Sequence, residues 1–400
     1  MENRDIIIVG QQAWDTEIGS NCKNLAIEFS KKNRVLYVNP PLDRISKYRG
    51  KSDSKVQKRL DIIRGAERGL VEIKRNLFNL YPDCLIESIN WIPNDYIFDL
   101  INRYNNQSFS KSIIKAASSL SFREFILFND NDIFRSFYLK DLLKPAISIY
   151  YSRDNMVATD YWKRHGLVLE PKLIAKSDLC LANSEYLKNY CKKYNPYSFY
   201  VGQGCDVEPN DIDKINNDAQ EALMSIRHPI VGYVGFLTTA RLDINLIYYL
   251  AVNQPSWNIV LVGSEDEGFE KSDLHNLPNI HFLGSKKPQD LPSYTKLFDV
   301  CINPQILNDL TIGNYPRKID EYLMLGKPTV ATRTESMEVF KEHVSLARNE
   351  TEFMNCIQAL LNITNDHLKQ ARIEFASSHT WENSVKLIYE NIQQCLDINL

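Results

Sequence analysis

The chain has 400 residues, 44% of them hydrophobic and 24% charged, with a formal net charge of −3. That length suits two domains better than one, and the near-neutral balance gives no basis for a nucleic-acid partner. Eight cysteines without a C-x-x-C pair point to free thiols in a reducing compartment. The N-terminal MENRDIIIVG runs straight into an apolar strand without a secretory layout, and no apolar run approaches the ~18 residues that span a bilayer. The expectation is a cytoplasmic protein, with contact to the inner face of a membrane left open.

In chain order, the first half offers strands at 5–10, 34–40, 125–130, 146–152, 178–184 and 198–204. The second half offers strands at 230–236, 258–264, 280–285, 299–304 and 328–332. Near-continuous apolar strands separated by helix-length segments imply parallel sheets covered on both faces, and two such sets imply two Rossmann-like domains. The polar stretch 207–220 reads as the connection, with ligands expected outside the carboxyl ends of the strands. Segment 44–75 differs: it holds eleven Lys/Arg against four acids. It reads either as a solvated insertion or as a cationic face for anionic lipid or a lipid-linked acceptor.

Two stretches carry candidate chemistry. In VGYVGFLTTARLDINLI (231–247) a strand ends at Gly235 and a helix is expected from about Leu242. Gly235 permits close backbone approach, and Arg241 at the helix mouth can reach a phosphate. The same residues also read as a plain βα turn with a surface arginine. In NYPRKIDEYLMLGKP (314–328), Pro316 fits the first position of a helix whose first turn carries Lys318, with Glu321 one turn along. Lys318 suits a diphosphate and Glu321 a ribose diol; the alternative is an exposed ion pair between them. Gly326-Lys327-Pro328 closes the helix.

The pattern P-x-K-x-x-E-Y-L-x-x-G-K-P-x-V resembles the donor-site signature of GT-B glycosyltransferases of the retaining family-4 type. Gly235 to Arg241 resembles that family's G-R-L-x-x-x-K, with Phe236 in place of the arginine and Arg241 on the lysine position. GQGCD (202–206) resembles the turn before the second domain, and HTWENSVKLIYENI (379–392) the segment whose helix crosses back to the first.

The resemblance implies an α/β GT-B fold with a central cleft. Residues 1–206 would bind the acceptor, 207–378 the nucleotide-sugar, and 379–400 would form the returning helix. It implies Gly263, Gly284 and Lys286 at the base. Arg241 and Lys318 would be catalytic as diphosphate cations, and Glu321 would hold the ribose. Many members carry a sugar-binding glutamate eight residues before the second; here that position is Gly313. Backbone N–H groups from Ile312 to Tyr315, Asn314 among them, are expected to replace it.

In the first half, Asp15, Glu17, Gly19 and Ser20 are candidate acceptor-side or diphosphate contacts, with Ser20 or Asn21 equally a helix N-cap. Arg153 and Asp154, after the strand at 146–152, either face the reaction centre or form a local ion pair; Asp154 is the candidate base. Asp130-Asn131-Asp132 matches a metal-binding D-x-D, but Asp132 reads more simply as the N-cap of a helix from Ile133, and Asp211-x-Asp213 as solvated. His165 is expected partly exposed. No metal and no cofactor beyond a UDP- or GDP-linked sugar substrate is expected. The function implied is transfer of a sugar to a glycan or lipid-linked acceptor in bacterial surface-polysaccharide synthesis. A non-catalytic GT-B scaffold and a nucleotide-sugar 2-epimerase are the rivals.

Overall fold

The computed structural model describes every residue except 17–19, 206, 208–214, 364–365 and 399–400. Its chain divides into two units, Met1–Gly202 with Ser384–Leu400, and Gln203–Asn383.

The first unit is built on an eight-stranded sheet. Its strands are β1 (Asp5–Val9), β2 (Arg34–Val38), β4 (Leu70–Lys74), β5 (Leu77–Leu80), β7 (Ile126–Asp130), β8 (Ile147–Ser152), β9 (Leu179–Ala182) and β10 (Ser198–Tyr200). A separate short pair joins β3 (Leu42–Asp43) to β6 (Leu85–Ile86). The order is β10-β9-β8-β7-β1-β2-β5-β4, with Ile6 opposite Ile126 and Ile8 opposite Phe128. Every residue of β1 is buried, because helices cover both faces and neither side of the strand meets water.

Segment 44–75 is mostly exposed, and it forms helices Arg44–Arg49 and Ser54–Ile63 and then β4, which pairs antiparallel with β5 at the sheet edge. Two expectations are corrected here. No helix runs from Ile133; Asp132 accepts from Arg135 N at 2.9 Å and pairs with its guanidinium at 2.6 Å, which stabilises a turn. His165 is buried, stacked on Phe98 and bonded to Asp95 and the Ile92 carbonyl, so its polar atoms are satisfied inside.

From Ser384 onward the last helix, Trp381–Ile398, packs on this first unit. The Tyr389 ring lies 5.6 Å from that of Phe29, its hydroxyl accepts from Asn33 at 2.8 Å, and Cys395 Sγ donates to the Asp178 carbonyl.

The second unit has six parallel strands: β11 (Ile230–Val234), β12 (Asn258–Val262), β13 (Ile280–Phe282), β14 (Val300–Asn303), β15 (Thr329–Thr332) and β16 (Ser345–Ala347). Their order is β13-β12-β11-β14-β15-β16. The winding direction reverses between β11 and β14, the position where a doubly wound sheet opens a crevice for a ligand. Alternation along β11 fills two cores: Ile230 and Val234 face one, Val231 and Tyr233 the other.

Candidate active site

Three glycines follow the three strands on one side of the reversal. Gly235 N donates to Val262 O at 2.9 Å, and Gly263 N to Gly284 O at 3.0 Å. The backbones are so close that a Cβ on Gly263 would stand 1.9 Å from Gly235 O. At Gly235 φ is +140°, and a Cβ would stand 2.7 Å from Lys318 Nζ. The positive φ favours glycine there, and a Cβ would also displace the lysine tip.

Lys318 opens the helix Lys318–Met324. Pro316 is not the first helical residue, as the sequence suggests; it precedes the N-cap Arg317, and its carbonyl accepts from Ile319 N at 2.9 Å. The helix closes as expected, with Gly326 at φ +71° and with Gly326 N and Lys327 N bonded back to Leu323 O and Tyr322 O. The Lys318 ammonium donates to the Tyr233 hydroxyl and lies 3.9 Å from the Tyr233 ring centroid. Burial pulls its pKa down to about 7; Glu321 opposes that shift and Arg241 adds to it. Lysine, glutamate and arginine thus share one electrostatic neighbourhood beside Gly235. Val234 N donates to the Tyr322 hydroxyl at 2.9 Å, which pins the helix to the end of β11.

Arg241 lies in a turn. The following helix, Ile244–Asn253, starts later than expected, because Asp243 caps it by accepting from Leu246 N at 3.0 Å. This turn is stitched to the loop after β14. Ile306 N donates to Arg241 O at 3.0 Å, Asp243 N to Pro304 O at 2.9 Å, and Asn308 Nδ2 to Ala240 O at 3.0 Å. The two loops flanking the reversal therefore form one assembly, and Arg241 is carried by it.

Glu321 is not paired with Lys318 in an exposed bridge. It lies 3.3 Å from Arg317 and is about a quarter exposed. In the loop that replaces the missing glutamate, Ile312 N is taken by Asn308 O and Asn314 N by Thr311 O. Those two N–H groups are committed to turns, a correction to the expected run of backbone donors. Tyr315 turns its side chain inward, donating to Asp320 at 2.7 Å. His379 Nδ1 meets the other oxygen of Asp320 at 2.7 Å. Burial raises the Asp320 pKa, and His379 and Tyr315 oppose that. Lys286 lies near the strand ends with its ammonium 5.6 Å from the Tyr294 ring.

The first-unit candidates are held by local partners. Arg153 bonds Asp130 at 2.8 Å and Asp154 at 2.6 Å. Burial would lower its pKa, but the two carboxylates hold it above the ordinary value. Asp154 is therefore a counter-ion of Arg153, and Asn131 Oδ1 fixes both backbones at 2.9 Å. Asp15 pairs with Arg59 at 2.9 Å. Ser20 is the N-cap of helix Asn21–Phe29. Glu17, Gly19, Asp206, Asp211 and Asp213 lie outside the described residues. Among the described residues no group of three or more His, Cys, Asp or Glu side chains is placed to hold a metal ion.

Sequence reasoning did not find Tyr233 or Asp320, and it noted His379 only as the start of the HTWENSVKLIYENI segment, without its partner. Tyr233 carried one usable signal, an aromatic residue two positions before a glycine at a strand end; Asp320 carried none.

Residues 228–363 match the family model described as glycosyl transferases group 1. Over 281 residues the chain is 25% identical to TuaH of Bacillus subtilis (strain 168), named as a teichuronic acid biosynthesis glycosyltransferase, covering 62% of this chain and 70% of that one. Its fold is similar to sucrose-phosphate synthase from Thermosynechococcus elongatus, with a TM-score of 0.69 at 14% identity over 99% and 100% of the two chains. It is also similar to Anabaena HepE in complex with UDP, with a TM-score of 0.68 at 14% identity over 98% and 100%. These matches make residues 228–363 a group 1 glycosyltransferase domain within a chain that has the fold of GT-B glycosyltransferases.

Proposed function

We propose that the second unit binds a UDP-linked sugar and that the first presents a glycan or lipid-linked acceptor, in the assembly of a bacterial surface polysaccharide. The observation that carries this reading is the buried Lys318 beside Gly235, with Arg241 in the same field, at the topological switch point. Transfer places negative charge on the leaving diphosphate, and two preplaced cations stabilise that charge more than they stabilise the ground state. No metal is needed for that role. A carboxylate accepts several hydrogen bonds, so Glu321 can hold a ribose diol while it contacts Arg317. Gly263, Gly284 and Lys286 border the base, and Gly313 to Tyr315 the sugar. The choice of UDP follows the HepE complex, and the polysaccharide context follows TuaH.

On the acceptor side, Asp15, Ser20, Arg153 and Asp154 stand near strand or helix ends of the first unit. Asp154, tied to Arg153, suits hydrogen bonding to a hydroxyl better than proton removal. Retention of configuration, with the donor phosphate taking the acceptor proton, suits a site in which Asp154, among the described residues, is held as a counter-ion. Among the described residues no helix is long and apolar enough to cross a membrane. Peripheral docking through Lys47, Arg49 and Lys51 around the exposed Tyr48 would bring the enzyme to a lipid-linked acceptor.

Calorimetric titration of UDP, GDP and their sugar conjugates in EDTA tests the reading. Binding of UDP by the wild type, weakened in Lys318→Met and Glu321→Ala, supports it. If no nucleotide binds the wild type, or if both variants bind UDP as tightly as the wild type, the assigned donor site is wrong.

A further inference from the structure

A cavity of about 560 Å³ borders β16 at the far end of the second sheet and shares no residue with the Lys318 site. Its volume falls in the range of small-molecule sites. Arg372, on the helix Asp366–Ser378, lines it and is 9% exposed. Among the described residues the Arg372 guanidinium makes one hydrogen bond, from Nη1 to Gly326 O at 3.4 Å, and no ion pair. A guanidinium carries five N–H donors, and burying one without an acidic partner is costly.

The other charged groups on the cavity do not remove that imbalance. Glu338 is occupied by Arg333 at 2.7 Å. Glu342 and Lys341 are exposed, and His343 is stacked on Phe375. The remaining lining is largely apolar, through Val344, Leu346, Leu360 and Leu368. One part of the cavity therefore suits an oxyanion and another a compact hydrocarbon or sugar body.

We propose that this cavity binds a small organic phosphate, with the phosphate on Arg372, flanked by Lys341 and His343, and the organic body against Leu346, Leu360 and Leu368. Guanidinium matches phosphate oxygens in a bidentate fork, which also orients the ligand.

The test is calorimetric titration of n-butyl phosphate and inorganic phosphate into the full chain. Butyl phosphate should bind at millimolar concentration or below and more tightly than inorganic phosphate. Arg372→Gln should weaken it about tenfold or more, the effect of losing a charge-assisted contact. Because Arg372 also touches Gly326, its variant must retain the wild-type Tm. The rim variant Leu368→Trp, at a half-exposed position, should weaken butyl phosphate more than inorganic phosphate. Lys318→Met should leave binding unchanged, which separates this cavity from the proposed donor site. Absence of binding, equal binding in a folded Arg372→Gln, or loss in Lys318→Met would each overturn the proposal.

Discussion

The Asp320 carboxylate, fully buried on the helix that carries Lys318, is held by His379 at 2.7 Å across 59 positions of sequence. Tyr315 holds its other oxygen from the preceding loop, so one carboxylate ties together the loop, the helix and the chain before the returning helix. Removing one member leaves a buried polar group without its partner. Asp320→Ala and His379→Ala should each cost ~3 kcal/mol or more of unfolding free energy. A denaturant double-mutant cycle checks this; additive effects would show that the pair is not coupled.

The depressed pKa of Lys318 gives a signed pH dependence. Between about 7 and the ordinary lysine value, the unfolded chain binds a proton that the folded one lacks, so stability attributable to Lys318 rises with pH across that window. Compared with Lys318→Met, the wild type should gain stability from pH 7 to 10. Donor binding has the opposite sense. A diphosphate prefers the ammonium, so UDP binding should take up a proton and weaken between pH 7 and 9. Calorimetry in buffers of different ionisation enthalpy measures that uptake, which should vanish in Lys318→Met.

Gly235→Ala places a methyl group 2.7 Å from the Lys318 ammonium in a backbone conformation that costs ~1–3 kcal/mol for an L-residue. The variant should fold with reduced Tm and lose UDP affinity by about tenfold or more. Gly263→Ala meets Gly235 O at 1.9 Å, which is backbone and cannot yield like a lysine tip. It should be the more destabilising of the two by thermal denaturation.

Arg241 is proposed to act on charge that develops during transfer. Arg241→Ala should lower kcat by about 10²–10³ while changing nucleotide affinity less, the pattern of a contact strengthened in the transition state. Steady-state sugar transfer with EDTA present checks the split. A loss of affinity with kcat unchanged would instead make Arg241 a ground-state anchor.

What the sequence disclosed follows from where its information lies. DIIIV announces β1 because both faces are buried and four of its five residues are apolar. LVEIK hides β4 because that edge strand is mostly exposed, with Val71 and Ile73 facing solvent beside Glu72 and Lys74. Gly235, Arg241 and Lys318 stand in short motifs, and the structure gathers them around Tyr233. Their shared environment was not legible, since the Lys318 ammonium packs against a tyrosine 85 positions away. The Arg317 contact of Glu321 was open to helical spacing, but attention to Lys318 obscured it.

The last helix also sets an order of events during synthesis. Phe29 and Asn33 emerge early from the ribosome, but Tyr389, which covers and bonds them, emerges only after the entire second unit. Until then the Phe29 ring lacks its Tyr389 neighbour and the Asn33 amide one of its acceptors, an unfinished surface of the kind that chaperones engage.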